Sequence, residues 1–96
     1  MKSCVVEHEE QGQRGIFFIM QEGRRIAEMT YSRVGASMVV IDHTEVVPAL
    51  RGQKVARNLL DAAVKWARES HTRLGSTCSY ASAQFARDAS IGDVLA

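Results

Sequence analysis

The sequence predicts an α/β chain of the α+β kind: a mixed, mostly antiparallel five-stranded sheet, one main helix after the central strand, and a short C-terminal helix. Two stretches carry this reading. Ala27, Met29 and Tyr31 alternate with Glu28, Thr30 and Ser32, the period-two pattern of an antiparallel strand with one face in water. Met38–Glu69 reads MVVIDHTEVVPALRGQKVARNLLDAAVKWARE and changes period partway. Met38–Ile41 is a short β-branched run that suits a strand buried on both faces, ended before Pro48, which cannot donate to a ladder. From Val55 the apolar positions Ala56, Leu59, Leu60, Ala63 and Ala67 recur at helical spacing, with Asp61 and Lys65 as an exposed i,i+4 pair.

The remaining elements follow in order. Lys2–Glu10 predicts a first strand, although His8, Glu9 and Glu10 are polar. Gln11–Gly15 is a turn with two flexible glycines, and Ile16–Met20 is an aromatic, β-branched second strand. Gln21–Arg24 turns tightly into the third strand, and Gly35–Ser37 connects to the central one. After the main helix, Leu74–Cys78 predicts a fifth strand, parallel to the central strand if the helix is the crossover. A short helix over about 82–89 brings Ala83, Phe85 and Ala86 near the core, and Ile91 and Val94 pin the tail.

Composition narrows the function. The 96 residues, 46% hydrophobic and 24% charged, describe a single globular domain rather than a disordered chain. Twelve basic and eleven acidic side chains leave +1, so no bulk field directs the protein to nucleic acid or an anionic membrane. No apolar run approaches spanning length and no leader is evident. Two cysteines, Cys4 and Cys78, make no disulfide framework, which favours reduced thiols and a cytoplasmic setting. Oligomeric state is not legible.

The loop before the main helix is anion-friendly. A helix N-terminus presents free N–H groups and partial positive charge, Arg51 and Lys54 add cations, and Gly52 keeps a side chain out of the approach. The same residues also describe an ordinary solvated basic loop. Arg51-Gly52-Gln53-Lys54-Val55-Ala56, between a strand and a helix, resembles the acetyl-CoA pyrophosphate loop of the GNAT N-acetyltransferase superfamily. That motif reads Arg or Gln, two residues, Gly, one residue, then Gly or Ala. Arg51 and Ala56 match its ends, and Lys54 replaces the central glycine, for which helical dihedrals are expected. The wider strings Asp42-His43-Thr44-Glu45-Val46, Leu50-Arg51-Gly52-Gln53 and Cys78-Ser79-Tyr80-Ala81 resemble a short GNAT-like family that lacks the first two helices of larger acetyltransferases.

The resemblance implies an acetyl-CoA-dependent N-acetyltransferase with an unknown amine acceptor, perhaps of a protein. The alternative is a non-catalytic acyl-CoA binding module. Gly52, Gln53, Lys54, Val55 and Ala56, with Arg51, would hold the phosphates, and the backbone of Glu45, Val46 and Val47 would partner the pantetheine arm. His43 and Glu45, two apart on one strand, share a face and are candidate general bases; both also suit a solvated strand end. Asp42 should face the other way. Cys78 stands where the short family carries a cysteine, ahead of a helix whose positive end favours a thiolate, though a lone strand cysteine is commonly inert. Tyr80 is the alternative acid for the departing CoA sulfur. Cys4 and Trp66 read as structural, and no metal is implied.

Overall fold

A computed structural model of the protein describes residues 5–96. The 2–4 part of the expected first strand, with Cys4, lies outside the described residues. Five strands form one sheet in sequence order: β1 (Glu7–Gln11), β2 (Arg14–Gln21), β3 (Arg24–Gly35), β4 (Met38–Val46) and β5 (Arg73–Ser76). The first three pairings are antiparallel, and β4 pairs β5 in parallel across the helix α1 (Val55–Ser70). A 3-10 turn at Pro48–Leu50 follows β4; α2 (Ser79–Arg87) and a 3-10 segment at Ala89–Val94 follow β5. This is the mixed, mostly antiparallel sheet with one main helix that the periodicities predict.

α1 lies across the inner face of the sheet. It buries Val55, Leu59, Leu60, Ala63, Val64 and Ala67 against a layer that includes Met29, Tyr31, Val39 and Ile41. A helix of this length is marginal alone in water, so this apolar stripe holds it. Ile91 and Val94 are buried in the same core and do pin the tail.

Several local expectations change. Met38–Ile41 is not buried on both faces: Val39 and Ile41 point to the core while Met38 and Val40 are half-buried, and the strand runs on to Val46. Asp61 pairs backwards with Arg57 at 2.8 Å rather than with Lys65, which reaches Glu69. β5 stops at Ser76, because the amides of Thr77 and Cys78 both turn to the Ile41 carbonyl. α2 therefore starts at Ser79, and Ala86 falls on its exposed side while Ala81 and Phe85 are buried.

β1 shows why a polar strand can dock. His8 stacks on Phe17 with ring centroids 4.1 Å apart, meets Trp66 edge-on, and hydrogen-bonds the Tyr31 hydroxyl at 2.7 Å. Glu10 pairs with Arg33 at 2.8 Å beside it. Burial, with the Glu10 carboxylate beside it, pushes the Tyr31 phenol up to about 12. Trp66 packs into this cluster, a structural role as expected. The cluster also explains Gly15, which belongs to β2 rather than to the turn. A Cβ there would lie 2.0 Å from Tyr31 Cζ, and the ring is fully buried among Phe17, Trp66 and His8.

Two outcomes follow from this cluster. Gly15→Ala should destabilise the protein by about 1–3 kcal/mol through overpacking, measured by denaturant unfolding. Burial lowers the His8 pKa below its ordinary 6.5, Glu10 opposes the shift and Arg33 adds to it. The unfolded chain therefore takes up this proton first as pH falls, so the stability from neutral His8 is present above 6.5 and lost below it. Thermal unfolding of wild type and His8→Gln should show a wild-type advantage at neutral pH that narrows through mildly acidic pH; a constant difference would refute it.

Candidate active site

The loop between β4 and α1 makes an uncapped helix start. The first backbone bond of α1 runs from Asn58 N to Lys54 O, so the amides of Val55, Ala56 and Arg57 project from the helix without intrahelical acceptors. No side chain caps them and no acid lies in the first turn. Gly52 has φ +82°, and a Cβ there would meet nothing within 4 Å. Glycine is thus used for its backbone angle, not for space. Lys54 differs from expectation: it sits at φ 63°, ψ 20°, left-handed rather than helical. Glycine would adopt this conformation without cost, and lysine holds it against steric resistance. Arg51 folds back, donating from Nε to the Val46 carbonyl at 3.2 Å.

β4 separates from β5 beside this loop. The last β4–β5 pair is Ile41 with Ser76, yet β4 continues to Val46 against β3 alone. Glu45 and Val46 lie on that unaccompanied length. Val47 is already engaged on both sides, donating to Ile26 and accepting from Leu50. An open hollow of about 370 Å³ adjoins the strand end, lined by Arg25, Glu28, Glu45, Val46 and Arg51 among others.

A bulge sits at the same point. Tyr31 pairs with Ile41 and Thr30 with His43, so Asp42 is an extra residue. The bulge turns Asp42 to the outer face together with His43, not to the opposite one. There Asp42 accepts hydrogen bonds from Thr30 at 2.5 Å and Ser32 at 2.8 Å, with Arg14 at 3.7 Å. Burial alone would raise its pKa; those hydrogen bonds and Arg14 hold it below the usual carboxylate value. Asp42 therefore anchors the bulge. His43 Nε2 and Glu45 Oε1 share the outer face 3.7 Å apart, and register brings Glu28 opposite Glu45. One ligating atom each from Glu28, His43 and Glu45 lie within 4.8 Å of one another. The alternation of β3 put Glu28 on the solvent face; only the register revealed its neighbours.

The other candidates lie across the gap. After the bulge, Thr44 returns to the inner face opposite Met29, and its Oγ1 is 3.2 Å from Cys78 Sγ. Cys78 is 7% exposed and forms the residue before α2, free of any disulfide. Tyr80 is half-buried beside a second hollow of about 560 Å³ lined by Lys54, Arg57, Asn58, Asp61, Tyr80 and Gln84. Burial raises the Tyr80 pKa, which Arg57 opposes, so the phenol keeps its proton at neutral pH. Arg57 ties the rim together, binding Asp61, Gln84 at 2.7 Å and Asp88. Cys78 and the His43–Glu45 pair thus occupy opposite faces of β4 and do not touch. Neither Glu28 nor Thr44 carried a signal in the sequence beyond its polarity.

No helix among the described residues is long and apolar enough to cross a membrane. The GCN5-related N-acetyl-transferase family model matches residues 16–94. Protein NATD1 of Bos taurus is 32% identical over 80 residues, spanning 82% of this chain and 71% of that protein. A GCN5-like protein from Staphylococcus aureus, solved by NMR, superposes with a TM-score of 0.72 at 34% identity, over 94% of this chain and 87% of that one. Aminoglycoside N-acetyltransferase AAC(6')-Iy, solved with CoA, shares the fold at a TM-score of 0.55 and 19% identity, over 72% of this chain and 57% of its own. An uncapped helix start beside an unaccompanied strand is thus found in a chain that belongs to the GCN5-related N-acetyltransferase family.

Proposed function

We propose that this chain is a single-domain, cytoplasmic N-acetyltransferase that moves an acetyl group from acetyl-CoA to an amine. One observation carries the reading: β4 continues to Val46 after its last pairing with β5 at Ile41, beside the free amides that open α1. A pantetheine arm laid along that length would find its backbone partner at Val46; Val47 is engaged with Ile26 and Leu50, and Glu45, two residues before it, turns its groups to Glu28 of β3. Its pyrophosphate would meet the free amides of Val55 and Ala56 beside Gly52, with Arg51 released from Val46, Lys54 at the rim, and Gln53, whose amide donates to Leu50, less available. Family membership supports acetyl-CoA as the cosubstrate.

The chemistry follows from the groups on each side of β4. The amine lone pair attacks the thioester carbonyl, a C–N bond forms, and the C–S bond breaks. His43 or Glu45, directly or through water, takes the surplus proton from nitrogen. The protonated Tyr80 phenol supplies a proton to the departing CoA sulfur. In a two-step version the Cys78 thiolate attacks first, CoA leaves with the former thiol proton, and the amine then takes the acetyl group from sulfur and returns a proton to it.

Calorimetry with acetyl-CoA tests the loop. Gly52→Asp should weaken saturable binding severalfold by adding a carboxylate at the phosphate site. Lys54→Gly should raise folding stability by about 1 kcal/mol by releasing the left-handed lysine. It should also weaken binding, with the loss shrinking as salt is raised. Unchanged affinity in both folded variants would remove the loop from the site. Rapid acid quenching after mixing with acetyl-CoA, followed by peptide mass mapping, tests the two-step version. An acetyl adduct on Cys78 that an amine discharges is expected, and it should be absent in Cys78→Ala. Binding without turnover on any amine would instead identify a non-catalytic acyl-CoA module.

A further inference from the structure

We propose that Thr44 is a positioning residue for Cys78, fixing its sulfur by a hydrogen bond across the gap where β4 leaves β5. The inference deepens the acetyltransferase reading and rests on it for its purpose, although the contact itself does not. Backbone pairing between these elements ends when Ile41 O accepts from Thr77 N at 2.9 Å and Cys78 N at 3.2 Å. Beyond that point, among the described residues, the hydrogen bond linking β4 to the chain after β5 is Thr44 Oγ1 to Cys78 Sγ. The bulge at Asp42 is what returns Thr44 to the inner face, so the contact follows from the backbone rather than from a free rotamer. Cys78 is buried just before α2, while Thr44 is half-buried on the length of β4 that pairs with β3 alone.

The hydroxyl is the chemically apt partner. A thiol can donate to Thr44 Oγ1, but a thiolate can only accept, and then the Thr44 O–H must turn and donate to sulfur. The same atom therefore serves Cys78 before and after it loses its proton. When the sulfur attacks the acetyl carbonyl, or later leaves it, charge appears or collapses on sulfur, and the hydroxyl compensates in place. Valine has the shape of threonine without this capacity, so the packing and chemical roles can be told apart.

The test follows the sulfur directly, with no acetyl acceptor needed. In a Cys4→Ser background, the alkylation rate of Cys78 by iodoacetamide is compared for Thr44, Thr44→Val and Thr44→Ser, with folding checked by circular dichroism. Thr44→Val should react roughly tenfold more slowly, the size of one lost hydrogen bond to a developing charge, and Thr44→Ser should stay within about threefold of the parent. Should Thr44→Val fail to fold, Thr44→Ala takes its place with the same expectation. An unchanged or faster rate without the hydroxyl overturns the proposal. So does a serine variant as slow as the valine one, or a parent sulfur that iodoacetamide cannot reach. Acetyl-CoA calorimetry on the parent separates the two readings: absent binding refutes the acetyltransferase function, whereas the alkylation pattern judges Thr44 alone.

Discussion

The carbonyl of Ile41 is the point on which the arrangement turns. By accepting two successive amides, from Thr77 and Cys78, it closes the parallel ladder and bends the chain into α2. The next residue, Asp42, is the bulge. A bulge sharpens local twist, so β4 swings away from β5 just where its last partner has been used. Had the ladder continued, the length from Asp42 to Val46 would be consumed in sheet pairing, and nothing could lie along it. The bulge is held from outside by Asp42 with Thr30, Ser32 and Arg14. One short interval of backbone thus divides the chemistry-bearing side chains into an outer set, His43 and Glu45, and an inner set, Thr44 and Cys78.

Much of the fold was legible because it rests on pattern. The alternation in β3 and the switch of period at Val55 are consequences of one face being buried, and both elements form where the pattern requires. What the pattern does not encode is register. Asp42 was expected opposite His43 because alternation assumes an unbroken strand, and a single inserted residue reverses that. Glu28 could not be joined to His43 and Glu45 from sequence for the same reason: the cross-strand partner is set by the hairpin and its irregularities. The apolar and small residues up to Cys78 suit a longer β5, while the actual limit is two amides sharing one oxygen.

The loop illustrates another limit. Its position and charge were readable, and the family resemblance gave it a purpose. Its torsion was not. Lysine in place of glycine suggests a helical backbone, but the structure has a left-handed angle there and accepts the unfavourable side chain. The surrounding geometry, with β4 ending on one side and α1 anchored by Val55 and Leu59 on the other, sets the angle more firmly than the residue does.

The acidity of β1 bears on how the molecule meets its own copies. One side of β1 pairs with β2, and its other side is the sheet's terminal edge, carrying Glu7, Glu9, Glu10 and Gln11, all exposed. Two such edges brought together would align carboxylates against carboxylates in a ladder that otherwise suits strand addition. The charge that makes β1 an unpromising strand in sequence therefore disfavours the open-ended edge-to-edge joining of sheets.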